Sequence, residues 1–411
     1  MVSISLLKNT IQEYAWGSIR AIPDLLGQKN LANQPQAELW MGAHPKAPSL
    51  AYHNGQWISL QQLIAQDPEN ILGKKVAKQF NNRLPFLFKV LAAAQPLSIQ
   101  AHPNRKQAQS GFQRENAQKI PLDAANRNYR DDNHKPECIC ALTQFWALSR
   151  FRRIPKILSY LQQLNVRQLN DLLTDFKRQP TTQGLQQFYT SLLSLKQDQQ
   201  KRIVDETLQN ARHMAAEHAE FEWLLKLADH YPEDIGVLSP IFLNLICLEP
   251  GQALYLDAGQ LHAYLEGLGI ELMANSDNVL RGGLTPKHVD VPELLQVLNF
   301  EDRDITLLAS ETSVENELIY PSPTAEFILS VITLKNNSVY QSPRQRNVEI
   351  IICTEGQMTI ADRDLQTEIS LPQGASVIVP ASVKRYSLKG KGICYKAGVP
   401  FSVEHDCSTE S

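Results

Sequence analysis

Between about residues 153 and 232 the chain changes texture: its segments become rich in glutamine and leucine and almost free of glycine. Leu169, Leu172, Leu173 and Phe176 recur at i, i+3, i+4, i+7, and Leu185, Phe188, Tyr189 and Leu192 do so again, one apolar stripe per helix. The flanks read differently. Before the block come β-prone runs and turn signals such as ELWMGAHPKAPS (38–49) and LPFLFKVLAA (84–93); after it come PIFLNLICL, the turn EPG, and QALYLDAGQLHAYLEG (252–267). A segment with period 3.6 cannot join a sheet, so the strands on its two sides are predicted to complete one β domain, with the helices inserted between them. A further β-rich segment fills about 320–405, and the polar stretch SETSVENELIYPSPTAE (310–326) reads as the link to it. The expected division is 1–152 and 236–319 for the interrupted β domain, 153–235 for the insertion, and 320–411 for a second β domain.

Charge and length narrow the partners. A chain of 411 residues suits roughly two to three domains. A formal net charge of −3 provides no basic field for a polyanion, which excludes nucleic acid and favours a small ligand. The start, MVSISLLKNTIQEYAWG, has one short apolar run and no basic region ahead of it, and no stretch reaches the ~18–20 apolar residues of a membrane span, so neither export nor a membrane is expected. The six cysteines form no CxxC pair and mostly sit in apolar runs, as buried thiols of a reducing cytoplasm would. Cys138 and Cys140 could instead be a metal pair, although the strand formers around them favour a core position.

Three polar stretches are candidates for a site. In PLSIQAHP (96–103), Leu97, Ile99 and Ala101 share one strand face and Ser98, Gln100 and His102 the other. That polar face is either solvated or, because it continues the apolar run 84–93, turned inward, where Gln100 and His102 would suit two ligands of one ion. In YRDDNHKPEC (129–138), a charged turn runs into the strand ECICAL, so Glu137 would enter a sheet beside buried residues; the alternative is a loop simply dense in charge. In GIELMANSDNVLRGGLTPKHVD (269–290), Gly282 and Gly283 allow a sharp bend that Arg281 and Lys287 bracket, which suits an anion or is a surface loop with two bases.

A weak internal repeat also appears. Gly251 is followed by Asp257, Gly259, His262 and Glu266, and Gly374 by Pro380, Ser382 and Arg385 at matching spacing. Both copies resemble the second motif of cupin barrels, with departures in each, and only the first keeps a ligand, His262. Arg385 stands where His262 stands in the first copy, and a guanidinium cannot coordinate a cation, so 320–411 is expected to be a cupin-like domain without metal.

Taken together, LSIQAHP, YRDDNHKPE, LHAYLEG and MANSDNVLRGGLTPKHVD, preceded by YAWGS (14–18) and ELWMGAHP (38–45), resemble the type I mannose-6-phosphate isomerases, a zinc-dependent family of cupin fold. The match runs in order to about residue 300, with the helical insertion in place, and more weakly beyond. It implies a mainly β protein of two cupin-type jelly-roll barrels with an inserted α-helical domain. It further implies one zinc ion per chain held by Gln100, His102, Glu137 and His262, with Arg281 catalytic and Lys135, Glu271 and Lys287 lining the substrate pocket. The implied reaction interconverts mannose 6-phosphate and fructose 6-phosphate through an enediol, the metal stabilising developing oxygen charge. Glu271 is the expected base, raised in pKa by burial, with Lys135 its rival, and Ser98 and Lys287 could hold the phosphate. A cytoplasmic enzyme of mannose metabolism, favoured as a monomer, is expected; a metal-dependent cupin oxygenase and a non-catalytic sugar-binding cupin are the alternatives.

Overall fold

The computed structural model describes residues 3–336 and 338–401. Two antiparallel sheets pack back to back, and a run of helices covers part of the first. The ten-stranded first sheet is organised on one long strand, His262–Ala274. Its opening residues pair with Phe145–Phe151 and, at His262, with Gln100; its later residues pair with Phe86–Ala93 and Glu137–Ala141. Strands from both sides of the helical block therefore alternate in one sheet, as the sequence pattern requires.

Period-two alternation sorts the side chains of these strands. Phe86, Phe88, Val90, Cys138, Cys140, Ile270 and Leu272 enter the core shared with the second sheet, where Leu329, Ile350, Ile352 and Ala397 meet them. The intervening residues Lys89, Glu137 and Glu271 take the opposite, concave face. At the other end of the sheet, Ile99, Ala101, Leu261, Ala263, Leu265 and Leu280 pack against the helices, so Gln100, Tyr264 and Arg281 face the cavity. Leu97 departs from the expected alternation. The strand is only Ile99–Ala101, and Leu97, whose N–H donates to the Tyr264 carbonyl (2.8 Å), lines the cavity beside Ser98.

The helices run from Ile154–Leu164 to Ser239–Phe242. Leu173 and Phe176 of one and Leu185, Phe188, Tyr189 and Leu192 of the next form the predicted buried stripes; Leu172 is only partly buried. Thr181 starts the second of these helices by accepting from the Gly184 N–H (3.3 Å).

The eleven-stranded second sheet contains the C-terminal strands, and the N-terminal strand Ser5–Lys8 joins it by pairing with Ser376–Val379. The polar stretch read as a link is not a plain loop. Glu311–Val314 and Glu317–Tyr320 form a hairpin on the edge of that sheet. The five described cysteines are unpaired, with Cys138 and Cys140 in the inter-sheet core; Cys407 lies outside the described residues. No described helix is long and apolar enough to cross a membrane.

Candidate metal centre and active site

His102 follows the strand Ile99–Ala101, Glu137 opens Glu137–Ala141, and His262 opens His262–Ala274. All three are buried, and one ligating atom from each lies within 4.8 Å of the others. Each imidazole is oriented through its other nitrogen. His102 Nδ1 is 2.8 Å from the Asn278 carbonyl, and His262 Nδ1 is 2.9 Å from that of Gln260. A carbonyl can only accept, so Nδ1 carries the proton in both rings and Nε2 keeps its lone pair. Those two Nε2 atoms are buried with no hydrogen-bond partner, each 3.3 Å from one oxygen of Glu137. Burial lowers the His102 pKa to about 4, so the ring is neutral at pH 7. Burial alone would raise the Glu137 carboxyl, but Lys135 and the imidazoles hold it well below the usual range. Two orphaned lone pairs and a carboxylate converging on one point fit a divalent cation, and this donor set suits zinc.

Gln100 stands beside the group by register. It pairs with His262 on one side and Arg281 on the other, so three side chains stand abreast on one face. That face opens on a cavity of ≈ 400 Å³ lined by Ser98, Gln100, Lys135, Glu137, Glu271, Arg281 and Lys287. His102 and His262 are not among its lining residues, whereas Glu137 lines it and lies 3.3 Å from each imidazole. A larger cleft of ≈ 760 Å³ adjoins it, sharing His44, Lys46, Arg130, Ser276 and Asp277, but holds none of the three converging ligands.

The cavity has charge of both signs in separate places. Glu271 is buried against Lys89, whose Nζ is 2.8 Å away and also 3.4 Å from Glu38. Burial raises the Glu271 carboxyl above its usual value even though Lys89 opposes the shift. Lys135 Nζ lies 3.2 Å from Glu137. At the mouth stand Arg130, Arg281 and Lys287, none of which has a carboxylate within ion-pair distance among the described residues. Burial and then Arg130 depress the Arg281 pKa; burial, Arg281 and Arg130 depress that of Lys287. Three clustered cations without a carboxylate partner among the described residues suit an anion.

The loop that carries two of them rests on the helical block. Asp234 Oδ2 accepts from the Thr285 N–H (3.1 Å), and at Gly283, with φ +136°, a Cβ would lie 2.9 Å from the Gly236 Cα. Only glycine permits that approach.

Four contributors escape a reading of the sequence alone. Lys89 sits in the apolar run 84–93, where a lone lysine was the available signal. Arg130 lies inside the YRDDNHKPE stretch without being singled out. The Tyr264 hydroxyl lines the cavity, buried without a hydrogen-bond partner. Asn278, read as a turn former, is fully buried: its Oδ1 accepts from the N–H groups of Arg130 and Asp131 while its carbonyl orients His102.

Comparison with known proteins agrees with this geometry. Residues 4–154 match the family model for the catalytic domain of type I phosphomannose isomerase, and residues 160–243 that for its helical insertion domain. The mannose-6-phosphate isomerase of Escherichia coli K12 is 41% identical over 388 residues, covering 94% of this chain and 97% of that one. The human mannose-6-phosphate isomerase is 34% identical over 408 residues, covering 92% and 93%. A crystal structure of zinc-bound mannose 6-phosphate isomerase superposes with a TM-score of 0.90 at 38% identity, covering 97% of this chain and all of that one.

Proposed function

The chain belongs to the type I phosphomannose isomerases, and from that membership and its site we infer that it interconverts mannose 6-phosphate and fructose 6-phosphate through an enediol. The observation that carries the reading is the pair of buried, orphaned imidazole nitrogens facing Glu137. We assign His102, Glu137, His262 and Gln100 as ligands of one zinc ion per chain. When bound there, zinc supplies a dication that stabilises negative charge developing on the sugar oxygens. Gln100, as a neutral amide, withdraws less of that charge than a further carboxylate would.

Glu271 removes and returns the proton that moves between C2 and C1. Its raised pKa brings it toward the working range of a general base, and Lys89 steadies the carboxylate. Lys135, tethered at Glu137, presents an ammonium donor to a substrate oxygen instead of competing as base. Arg281 stabilises the enediolate. Arg130, Lys287 and Ser98 hold the phosphate, the anion that the unpaired cations at the mouth lack. The cupin description fits as well, with a catalytic β part formed by 1–152 and 236–319, a helical insertion at 153–235, and a C-terminal part at 320–411, of which 402–411 lie outside the described residues. The five unpaired cysteines among the described residues support a cytoplasmic location. Neither oxygen activation nor simple sugar binding is favoured, because family membership and the cluster of Arg130, Arg281 and Lys287 beside the ligand group both point to isomerisation.

The test is a coupled assay on mannose 6-phosphate with and without a chelator. Chelation is expected to abolish turnover and zinc to restore it; full turnover by metal-free protein would overturn the assignment.

A further inference from the structure

Glu326 belongs to the second β region, just ahead of the strand Ile328–Leu334, yet its carboxylate reaches into the first. Only 3% of the residue is exposed. Its Oε1 lies 2.7 Å from Arg105 Nη2 and 2.7 Å from His134 Nε2, while the Thr324 hydroxyl donates to Oε2. Burial alone would raise its pKa, but His134, Thr324 and Arg105 bring it down to about 2, so it is a carboxylate throughout the working range.

The two residues it holds are informative. Arg105 opens the helix Arg105–Ala117, three positions after His102, and that helix start is fixed by reciprocal capping between Asn104 and Gln107. His134 stands three positions before Glu137, with Pro136 stiffening the connection. A single oxygen thus meets both the segment carrying one metal ligand and the segment carrying another, which also touch directly (Arg105 Nη2 to His134 Nε2, 2.9 Å), from a part of the chain that supplies no ligand itself. Asn278 makes a similar tie from the loop between His262–Ala274 and Leu280–Gly283 of the first sheet; Glu326 makes it from outside.

We propose that Glu326 is a positioning residue for the metal, setting the separation of the His102 and Glu137 segments and thereby the zinc affinity without touching the ion. The proposal rests on the assignment of His102, Glu137 and His262 as zinc ligands. It gives the second sheet a role in the site beyond packing. Outer-shell partners of metal ligands commonly change affinity by about 10–100-fold when removed, and Glu326 acts through three residues of backbone on each side, so the lower end is expected.

The experiment measures zinc affinity by competition with a chromophoric chelator, and zinc release rate, for the full chain and three variants. Glu326→Gln should bind zinc about tenfold more weakly and release it faster. Arg105→Met, which breaks one arm at a half-exposed side chain and leaves the core intact, should weaken binding about threefold. Leu329→Ala loosens the same sheet through its buried core and should lower the unfolding temperature while leaving zinc affinity unchanged. Affinity for Glu326→Gln within twofold of the original chain would overturn the proposal, as would an equal loss in Leu329→Ala. Should Glu326→Gln fail to fold, unchanged affinity in Arg105→Met would overturn it alone. An original chain that binds no zinc would instead refute the ligand assignment, an outcome distinct from a tight site indifferent to Glu326.

Discussion

At the scale of single residues, each imidazole at the site has one direction left open. His102 and His262 donate from Nδ1 to backbone carbonyls and keep only Nε2 for a ligand. Replacing His102 with alanine is therefore expected to remove metal and turnover together, checked by metal analysis of the purified variant; activity surviving metal loss would contradict the role. The mouth cations are expected to divide the work differently. Arg281→Ala should lower kcat far more than it raises KM if the guanidinium acts mainly in the transition state, while Lys287→Ala and Arg130→Ala should mainly raise KM. The reverse pattern would exchange their roles. Lys89 supplies a pH test of the proposed base. Its ammonium lowers a Glu271 pKa that burial raises, so Lys89→Met should let it climb further, and more alkaline conditions would be needed to ionise the base. The acidic limb of kcat/KM is expected to move up by about one to three pH units. A limb that stays in place would show that Glu271 does not carry it.

At the scale of elements, strand alternation and helix packing decide which side chains can meet. The inward face at Ser98 and Gln100 was legible because Ile99 and Ala101 needed a core, and the helical stripes were legible because Phe176, Leu185 and Phe188 repeat at helical spacing. Leu97 was misread, since a three-residue strand ends the alternation too soon for a longer pattern to hold. Lys89 was hidden because its partners, Glu271 and Glu38, lie on strands far away in sequence. The hairpin within 310–326 was read as a link, because charged residues on an edge strand look like a loop until a neighbour pairs with them. Nor does a local pattern reveal that Asp234 and Gly236 support the segment that carries Arg281 and Lys287. That contact gives the helical insertion a measurable bearing on the site. Gly283→Ala would place a side chain at φ +136° and drive its Cβ to 2.9 Å from the Gly236 Cα. The backbone must shift, at about 1–3 kcal/mol for the strained conformation, carrying Arg281 and Lys287 with it. A raised KM for mannose 6-phosphate and a lower unfolding temperature are expected; unchanged kinetics would mean the loop is positioned by something other than this contact.

At the scale of the whole molecule, the two sheets repeat one pairing scheme with different chemistry in it. In the first, Leu256 and Met273 flank Glu137, and Glu271 flanks Ile139; in the second, Val379 and Gly398 flank Glu349, and Lys396 flanks Ile351. Glu38 of the first sheet corresponds likewise to Glu317, each on the strand next to the one that pairs with this long strand. Glu349 thus occupies the station of Glu137, but its neighbours are not imidazoles. Lys396 Nζ lies 3.2 Å from it and 2.6 Å from Glu317, Arg346 Nη1 lies 3.5 Å from it, and the Tyr386 hydroxyl donates to it at 2.9 Å. The guanidinium expected from Arg385 comes instead from Arg346, because Arg385 precedes the strand Tyr386–Gly398 and is only partly buried. Fixed ammonium and guanidinium groups thus neutralise the carboxylates that a metal could otherwise bridge. Lys396→Met would leave Glu317 and Glu349 buried without their main counter-charge, which is expected to destabilise the protein by about 3–5 kcal/mol. Denaturant unfolding measures that loss, and metal analysis of the same variant should still find about one zinc per chain, since the variant leaves His102, Glu137 and His262 intact. Stability unchanged within about 0.5 kcal/mol would mean that the second sheet does not depend on this internal pair, and a second zinc in the unaltered chain would mean that its carboxylates remain open to a cation.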